Sequence, residues 1–267
     1  MRRVRWFPAL LFAALAVVLL FLTLPIVAIF VDTSPAELVR SLDDPTATDA
    51  LVLSLWTSAL AVAIVVVVGT PAAYLLATRR FRGRSLLITL IELPLVLPPA
   101  VAGIGLLAAL GPQGLFGGTL EDAGLGIALT TASVVLALTF VAAPFYIRQA
   151  ETAFGALDRS WLEASRTLGA GEGSTFLRVA IPNALPGLIA GLALTWGRAL
   201  GEFGATLMFA GSFRGVTQTV PLAIYERFAT DFTGALALSA VLVAVSAAIL
   251  LTVKLATHRS AARVLAR

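Results

Sequence analysis

The chain has no cysteine, a single histidine and a single lysine, and ionised side chains make up only 13% of its 267 residues. Each shortage closes a class of function. Without cysteine there is neither a disulfide framework nor a thiolate site. His258, alone in a polar tail, cannot assemble a His/Cys set for zinc. Lys254 follows no glycine-rich loop, so the chain has no phosphate-binding loop ending in Lys-Ser/Thr and is not an ATPase. Gly169, Gly171 and Gly173 also lack a following lysine and read as a flexible turn. The fragment Gly103-Ile104-Gly105-Leu106-Leu107-Ala108 faintly resembles a dinucleotide fingerprint, but it lies inside an apolar run with no strand before it. A net charge of +4 and a pI near 10.3 do not imply a nucleic-acid partner, because the arginines sit at the ends of apolar runs and form no stripe with aromatics. The apolar runs hold no nucleophile and base pair and no metal set, which argues against a membrane-embedded enzyme.

What the chain has in excess is hydrocarbon. Apolar residues are 59% of the total and the mean hydropathy is +0.96, which places the protein in a lipid membrane. About 20 helical residues cross about 30 Å of hydrocarbon. Six runs meet that length: Ala9 to Val31, Leu51 to Ala77, Leu86 to Leu110, Ile127 to Ile147, Leu185 to Ala210 and Ala235 to Ala256. The first follows Arg2, Arg3 and Arg5 but is much longer than a signal-peptide core, so it reads as a retained span.

Basic residues near the spans are retained on the cytoplasmic side. With both termini inside, the inner segments carry Arg2, Arg3 and Arg5, then Arg79, Arg80, Arg82 and Arg84, then Arg148, Arg159, Arg166 and Arg178, and finally Lys254, Arg259, Arg263 and Arg267. The outer segments keep only Arg40, Arg214 and Arg227 and are otherwise acidic, as at Asp32, Glu37, Asp43, Asp44 and Asp49. The expected fold is all-α, with six transmembrane helices, cytoplasmic N- and C-termini, and a long cytoplasmic loop over residues 148–184.

That loop is too polar for lipid and has its own pattern. Asp158 is a helix cap, Arg159 to Leu168 contains no helix breaker, and Gly169 supplies a turn residue free to take positive φ. Trp161, Leu162, Ala164, Ser165 and Leu168 give an apolar and small-residue face beside the charged Glu163 and Arg166. Ser174 can cap a second stretch running to Pro182 and Pro186. The residues alone allow a connector resting on headgroups or a docking element for a soluble partner.

Glu163-Ala164-Ser165, then Gly169, then Val179-Ala180-Ile181-Pro182 resembles the EAA loop of permease subunits of ABC importers, with Ser165, Val179 and Ile181 as small departures. The resemblance implies a type I ABC importer permease fold in which Glu163, Ala164, Ser165, Leu168 and Gly169 dock an ATPase. A second resemblance covers Leu93 to Gly103, Gly197 to Gly211 and Thr217 to Tyr225, which are similar to molybdate permease subunits. Sulfate, thiosulfate and tungstate permeases share much of this pattern and stand as the alternative. The family implies a multi-pass protein of the cell membrane, working as a homodimer with two ATP-binding cassette subunits and an extracytoplasmic molybdate-binding protein. ATP and Mg would sit on the partner ATPase, with no cofactor on this chain.

The same segments carry features of a pathway. Pro94, Pro98 and Pro99 remove backbone donors and should kink or break the third span where protein or water satisfies the freed groups. Gly187/Gly191 and Gly197/Gly201 have a spacing that lets helix backbones approach closely. Arg198 and Glu202, four apart, are costly at membrane depth unless paired or facing an interior; the alternatives are a structural ion pair or a position beside the pathway or its gate. The pathway expectation comprises Arg198, Glu202, Gly201, Pro98 and Pro99, while Glu92 reads as a residue that snorkels to the inner interface. A secondary transporter would need coupling-ion groups at the midplane, and no Asp or His relay is present there.

Overall fold

A computed structural model describes residues 6–265, and within them every regular element is helical. Arg2, Arg3, Arg5 and Arg267 lie outside the described residues, as do the side chains of Lys254, His258, Arg259 and Arg263.

Helix α1 (Trp6–Val31) has no buried residue and makes its main contact with α13. An uninterrupted apolar surface of this kind is at no disadvantage in lipid. Helix α2 (Pro35–Asp43) opens with a reciprocal cap: Glu37 N–H donates to Ser34 Oγ at 3.3 Å, and Ser34 N–H donates to Glu37 Oε2 at 2.8 Å. These backbone and side-chain bonds to Ser34 hold the Glu37 carboxyl below its ordinary pKa. Helix α3 (Pro45–Thr78) begins on Asp44, whose Oδ1 accepts from Thr46 N–H at 2.8 Å.

Helices α3, α7 (Thr131–Gly155) and α10 (Ile181–Leu200) form the centre of the bundle. Small buried residues make this possible. Ala61, Val65, Gly69 and Ala73 recur at helical spacing along α3, and an added Cβ at Gly69 would stand 3.1 Å from both Tyr146 and Ile147. Gly187 and Gly191 do the same for α10, facing Ala153 and Gln149 of α7. Two polar pairs bridge the central helices: Thr70 Oγ1 and Tyr146 Oη lie 2.7 Å apart, and Trp196 Nε1 donates to Ser58 Oγ at 3.1 Å.

Three expected spans are corrected. The run over residues 86–110 is two helices, α4 (Arg84–Val96) and α5 (Pro99–Leu110), bent by 115°. Pro98 and Pro99 have no N–H to continue the ladder, whereas Pro94 is absorbed within α4. The run over 185–210 starts earlier, at α10, and breaks after Leu200; a short α11 (Gly204–Ala210) follows. The run over 127–147 is displaced toward the C-terminus as α7, because residues 127–130 form a turn with Leu129 at φ 60° and the helix continues to Gly155. A short α6 (Gly117–Asp122) precedes it. The chain closes with α12 (Val220–Phe228) and α13 (Phe232–Leu265), the latter longer than expected and started by Asp231, whose Oδ1 accepts from Gly234 N–H at 2.9 Å.

Candidate docking and translocation sites

Helix α8 (Arg159–Thr167) lies in the loop between α7 and α10. Asp158 caps it, with Oδ1 accepting from Ser160 N–H at 2.9 Å; this bond lowers the Asp158 carboxyl below its ordinary pKa. The far end closes by two bonds: Ala170 N–H reaches Ser165 O at 3.1 Å and Gly169 N–H reaches Arg166 O at 3.0 Å. That pairing requires a left-handed residue, and Gly169 sits at φ +86°. Ser174 does not cap the next stretch: α9 (Glu172–Thr175) starts on Gly171, and Ser174 lies within it. One turn with wider bonding (Phe176–Ala180) then leads into α10. Ser165 Oγ and Thr175 Oγ1, 3.0 Å apart, tie α8 to α9.

Only Leu162 of the expected apolar face is buried. It packs with Phe154, Ala180 and Ala184, and Tyr74, Phe154 and Phe176 form an aromatic group beside it, with centroids 4.8 to 6.2 Å apart. Trp161 and Leu168 are exposed, Leu168 by 88%, and Glu163 and Ala164 are exposed as well. The helix is therefore anchored by Leu162 and by the Ser165–Thr175 bond, and presents Trp161, Glu163, Ala164 and Leu168 outward. A cavity of about 160 Å³ runs beneath it, lined by Thr78, Phe154, Arg159, Leu162, Glu163 and Arg166.

Beside this anchor lies a charge network that the sequence reading missed. Glu151, whose side chain is 9% exposed, is gripped by Arg84 Nη2 at 2.7 Å and by Arg148; Arg148 Nε also meets Glu92 Oε1 at 2.8 Å. Glu92 is thus an ion-pair partner and does not snorkel alone. Glu151 falls at a polar end of an apolar run, where only its spacing from Arg148 hinted at a pair.

The two broken spans meet beside the expected pathway residues Pro99 and Glu202. An added Cβ at Gly204 would lie 2.8 Å from Pro99 Cβ and 3.2 Å from Ala100 N, so the break after Leu200 abuts the break at Pro98 and Pro99. Gly103 packs equally closely on Ala205 and Met208, which gives it a packing role. Glu202 spans the break in the fifth run: Oε1 accepts from Ala205 N–H at 2.8 Å, and Oε2 lies 2.5 Å from Arg198 Nη2 without hydrogen-bond alignment. Glu202 is 1% exposed and Arg198 27%, so the carboxylate is buried while the Arg198 side chain stays partly exposed. Gly201 ends α10 at φ −88°, and neither it nor Gly197 is pressed by a side chain.

A sequence profile described as "Binding-protein-dependent transport system inner membrane component" matches residues 66–264. The chain belongs to this family of membrane transport components. It is a permease subunit, a multi-pass membrane protein and not by itself an enzyme. The permease is 44% identical over 235 residues to "Molybdenum transport system permease protein ModB" of Mycobacterium tuberculosis, covering 88% of this chain and 89% of that one. It is 32% identical over 256 residues to "Probable sulfate transport system permease protein cysT" of Nephroselmis olivacea, covering 94% and 89%. Among solved structures, a bacterial alginate ABC transporter in complex with alginate pentasaccharide-bound periplasmic protein superposes with a TM-score of 0.75 at 17% identity, covering 96% of the permease and 95% of that chain. An inward-facing form of the MetNI methionine ABC transporter superposes with a TM-score of 0.60 at 20% identity, covering 84% and 95%. These two likenesses show a shared ABC importer permease fold.

Proposed function

We propose that the permease forms, as a homodimer, the translocation pathway of an ATP-driven importer for molybdate, with tungstate carried by the same route. The observation that carries the substrate is the 44% identity to the M. tuberculosis molybdenum permease over 88% of the chain, against 32% to the sulfate permease of N. olivacea. Sulfate or thiosulfate is the second reading, kept because the latter match covers 94% of the chain. Both termini and the 148–184 loop face the cytoplasm, supported by the distribution of arginine. There Glu163, Ala164, Ser165, Leu168 and Gly169 dock an ATP-binding cassette subunit, one per permease copy, which holds ATP and Mg. The exposure of α8 above its buried anchor Leu162 supports this role. An extracytoplasmic binding protein delivers the anion to the opposite face.

Pro98, Pro99, Arg198, Gly201 and Glu202 line the pathway or its gate. Arg198 offers its partly exposed side chain to the dianion and Glu202 restrains that attraction, so the ion is passed on. Closure of the ATPases draws the docking helices together and alternates the access. The test is ATP-driven uptake of labelled molybdate into vesicles holding the permease, its ATPase and its binding protein. Saturable molybdate uptake that survives excess sulfate is expected. Sulfate uptake with no molybdate uptake would overturn the substrate.

A further inference from the structure

Helix α4 has no buried residue, yet it is the half of the broken span that leads from the docking end to Pro98. Its apolar side chains are at most half-buried, and two ionic contacts tie it to α7. Arg84, at the first position of α4, reaches Glu151 Oε1 at 2.7 Å while its Nε donates to Leu76 O of α3 at 2.7 Å. Glu92, eight residues further on and about 12 Å along the helix, meets Arg148 Nε at 2.8 Å. Arg148 and Glu151 also bond each other, so both holds on α4 converge on one turn of α7. Two points of attachment fix an orientation as well as a position. Three residues beyond Glu151 on the same helix is Phe154, which packs in one cluster with Leu162 of α8.

We propose that Glu151, gripped by Arg84 and Arg148, is the positioning residue that makes α4 move with the docking end of α7, so that displacement of α8 reaches the break at Leu97 and Pro98. The network holds two acids and two bases, so it neither draws in nor repels a passing anion and is a mechanical joint. Removing the Glu151 charge leaves Arg84 without an ionic partner and loosens one end of α4, while the α8 surface that meets the ATPase is untouched. The inference rests on α8 being the docking helix.

The test uses the assembled importer in vesicles, with molybdate uptake and ATP hydrolysis measured together. Glu151→Gln should retain the ATPase and its hydrolysis while anion moved per ATP falls on the order of tenfold. Glu163→Lys, by contrast, should release the ATPase from the complex. A parental transport ratio in Glu151→Gln refutes the joint and leaves docking intact; ATPase retention with normal uptake in Glu163→Lys refutes docking. Should Glu151→Gln not assemble, the absence of native cysteine permits a second arm, Glu92→Cys with Arg148→Cys. Its ratio should fall, and a bifunctional thiol reagent bridging the pair should restore it. A parental ratio before bridging, or no recovery after it, overturns the proposal.

Discussion

Replacing Gly103 with alanine isolates the contact that joins the two broken spans. An added Cβ there would stand 2.6 Å from Ala205 O, 2.7 Å from Met208 Cβ and 2.9 Å from Ala205 Cα. Met208 can adjust its side chain, but the two Ala205 atoms are backbone. Reaching even a 3.0 Å separation from the carbonyl oxygen moves α5 and α11 apart by about 0.4 Å, and interiors resist such shifts because neighbours are already in contact. Overpacking of this size costs about 1–3 kcal/mol. Gly105 supplies the control two residues away on the same helix, since nothing lies within 4 Å of its added Cβ. Gly105→Ala should be neutral or gain up to about 1 kcal/mol from helix propensity. The assay is the thermal midpoint of the detergent-purified permease by size-exclusion chromatography, paired with vesicle uptake. Gly103→Ala should lower the midpoint and slow uptake while Gly105→Ala does neither. Equal midpoints and equal uptake for the two variants would show that the close approach of α5 and α11 does not hold the breaks together.

Other substitutions probe the remaining parts. Gly169→Val places a branched residue at φ +86°, costing at least about 1–2 kcal/mol in the turn that ends α8, and should reduce ATPase retention on purification while the chain stays in the membrane. Asp158→Ala removes the acceptor for Ser160 N–H and should weaken ATPase retention, whereas Asp158→Asn keeps an acceptor and should not. The Asp158 pKa is depressed from 3.8, so its contribution is present above that value and is lost only as pH falls through the lower folded value. Retention should accordingly be flat between about pH 5 and 8 as far as this cap is concerned, checked by pull-down across that range. Glu202→Gln keeps an acceptor for Ala205 N–H but frees Arg198, so equilibrium binding of molybdate to the permease should rise as maximal uptake falls; unchanged binding would remove Arg198 from the pathway.

Helix α8 was legible in the sequence because its signals are local. Asp158 and Gly169 bracket nine helical residues, and cap and turn chemistry act over three or four residues whatever the tertiary context. The breaks were half legible. Pro98 and Pro99 announce an interruption by lacking N–H groups, but hydrocarbon content alone made residues 86–110 look like one rod, and nothing local encodes a bend of 115°. The break after Leu200 has no proline; it depends on Glu202 giving its carboxylate to Ala205 N–H, a choice made only once the burial of that side chain is known. Glu151 was missed for the same reason, since its two arginine partners are 3 and 67 residues away and only one of those separations is visible as helix spacing. Gly103 was noticed in the Leu93–Gly103 segment but not for its packing: its partner is Ala205, on a helix that the sequence merged with α10.

The pairing at Arg198 bears on where selectivity resides. Two unit charges about 4 Å apart interact by about 4 kcal/mol at an effective dielectric of 20, so a dianion beside a lone guanidinium would be held by roughly twice that. An attraction of that size makes an ion slow to leave, and a lone buried Glu202 carboxylate would be equally unfavourable. With Oε2 at 2.5 Å from Nη2, most of the guanidinium charge is already answered, and the field left beside the pair is that of a dipole. A dipole favours anions over cations but distinguishes poorly among dianions of similar size. On the proposed reading the pathway therefore sorts by sign of charge, and discrimination of molybdate from sulfate belongs to the binding protein that loads it. Exchange of that binding protein for one that accepts sulfate, with this permease and its docking surface kept, should then convert the importer to sulfate uptake.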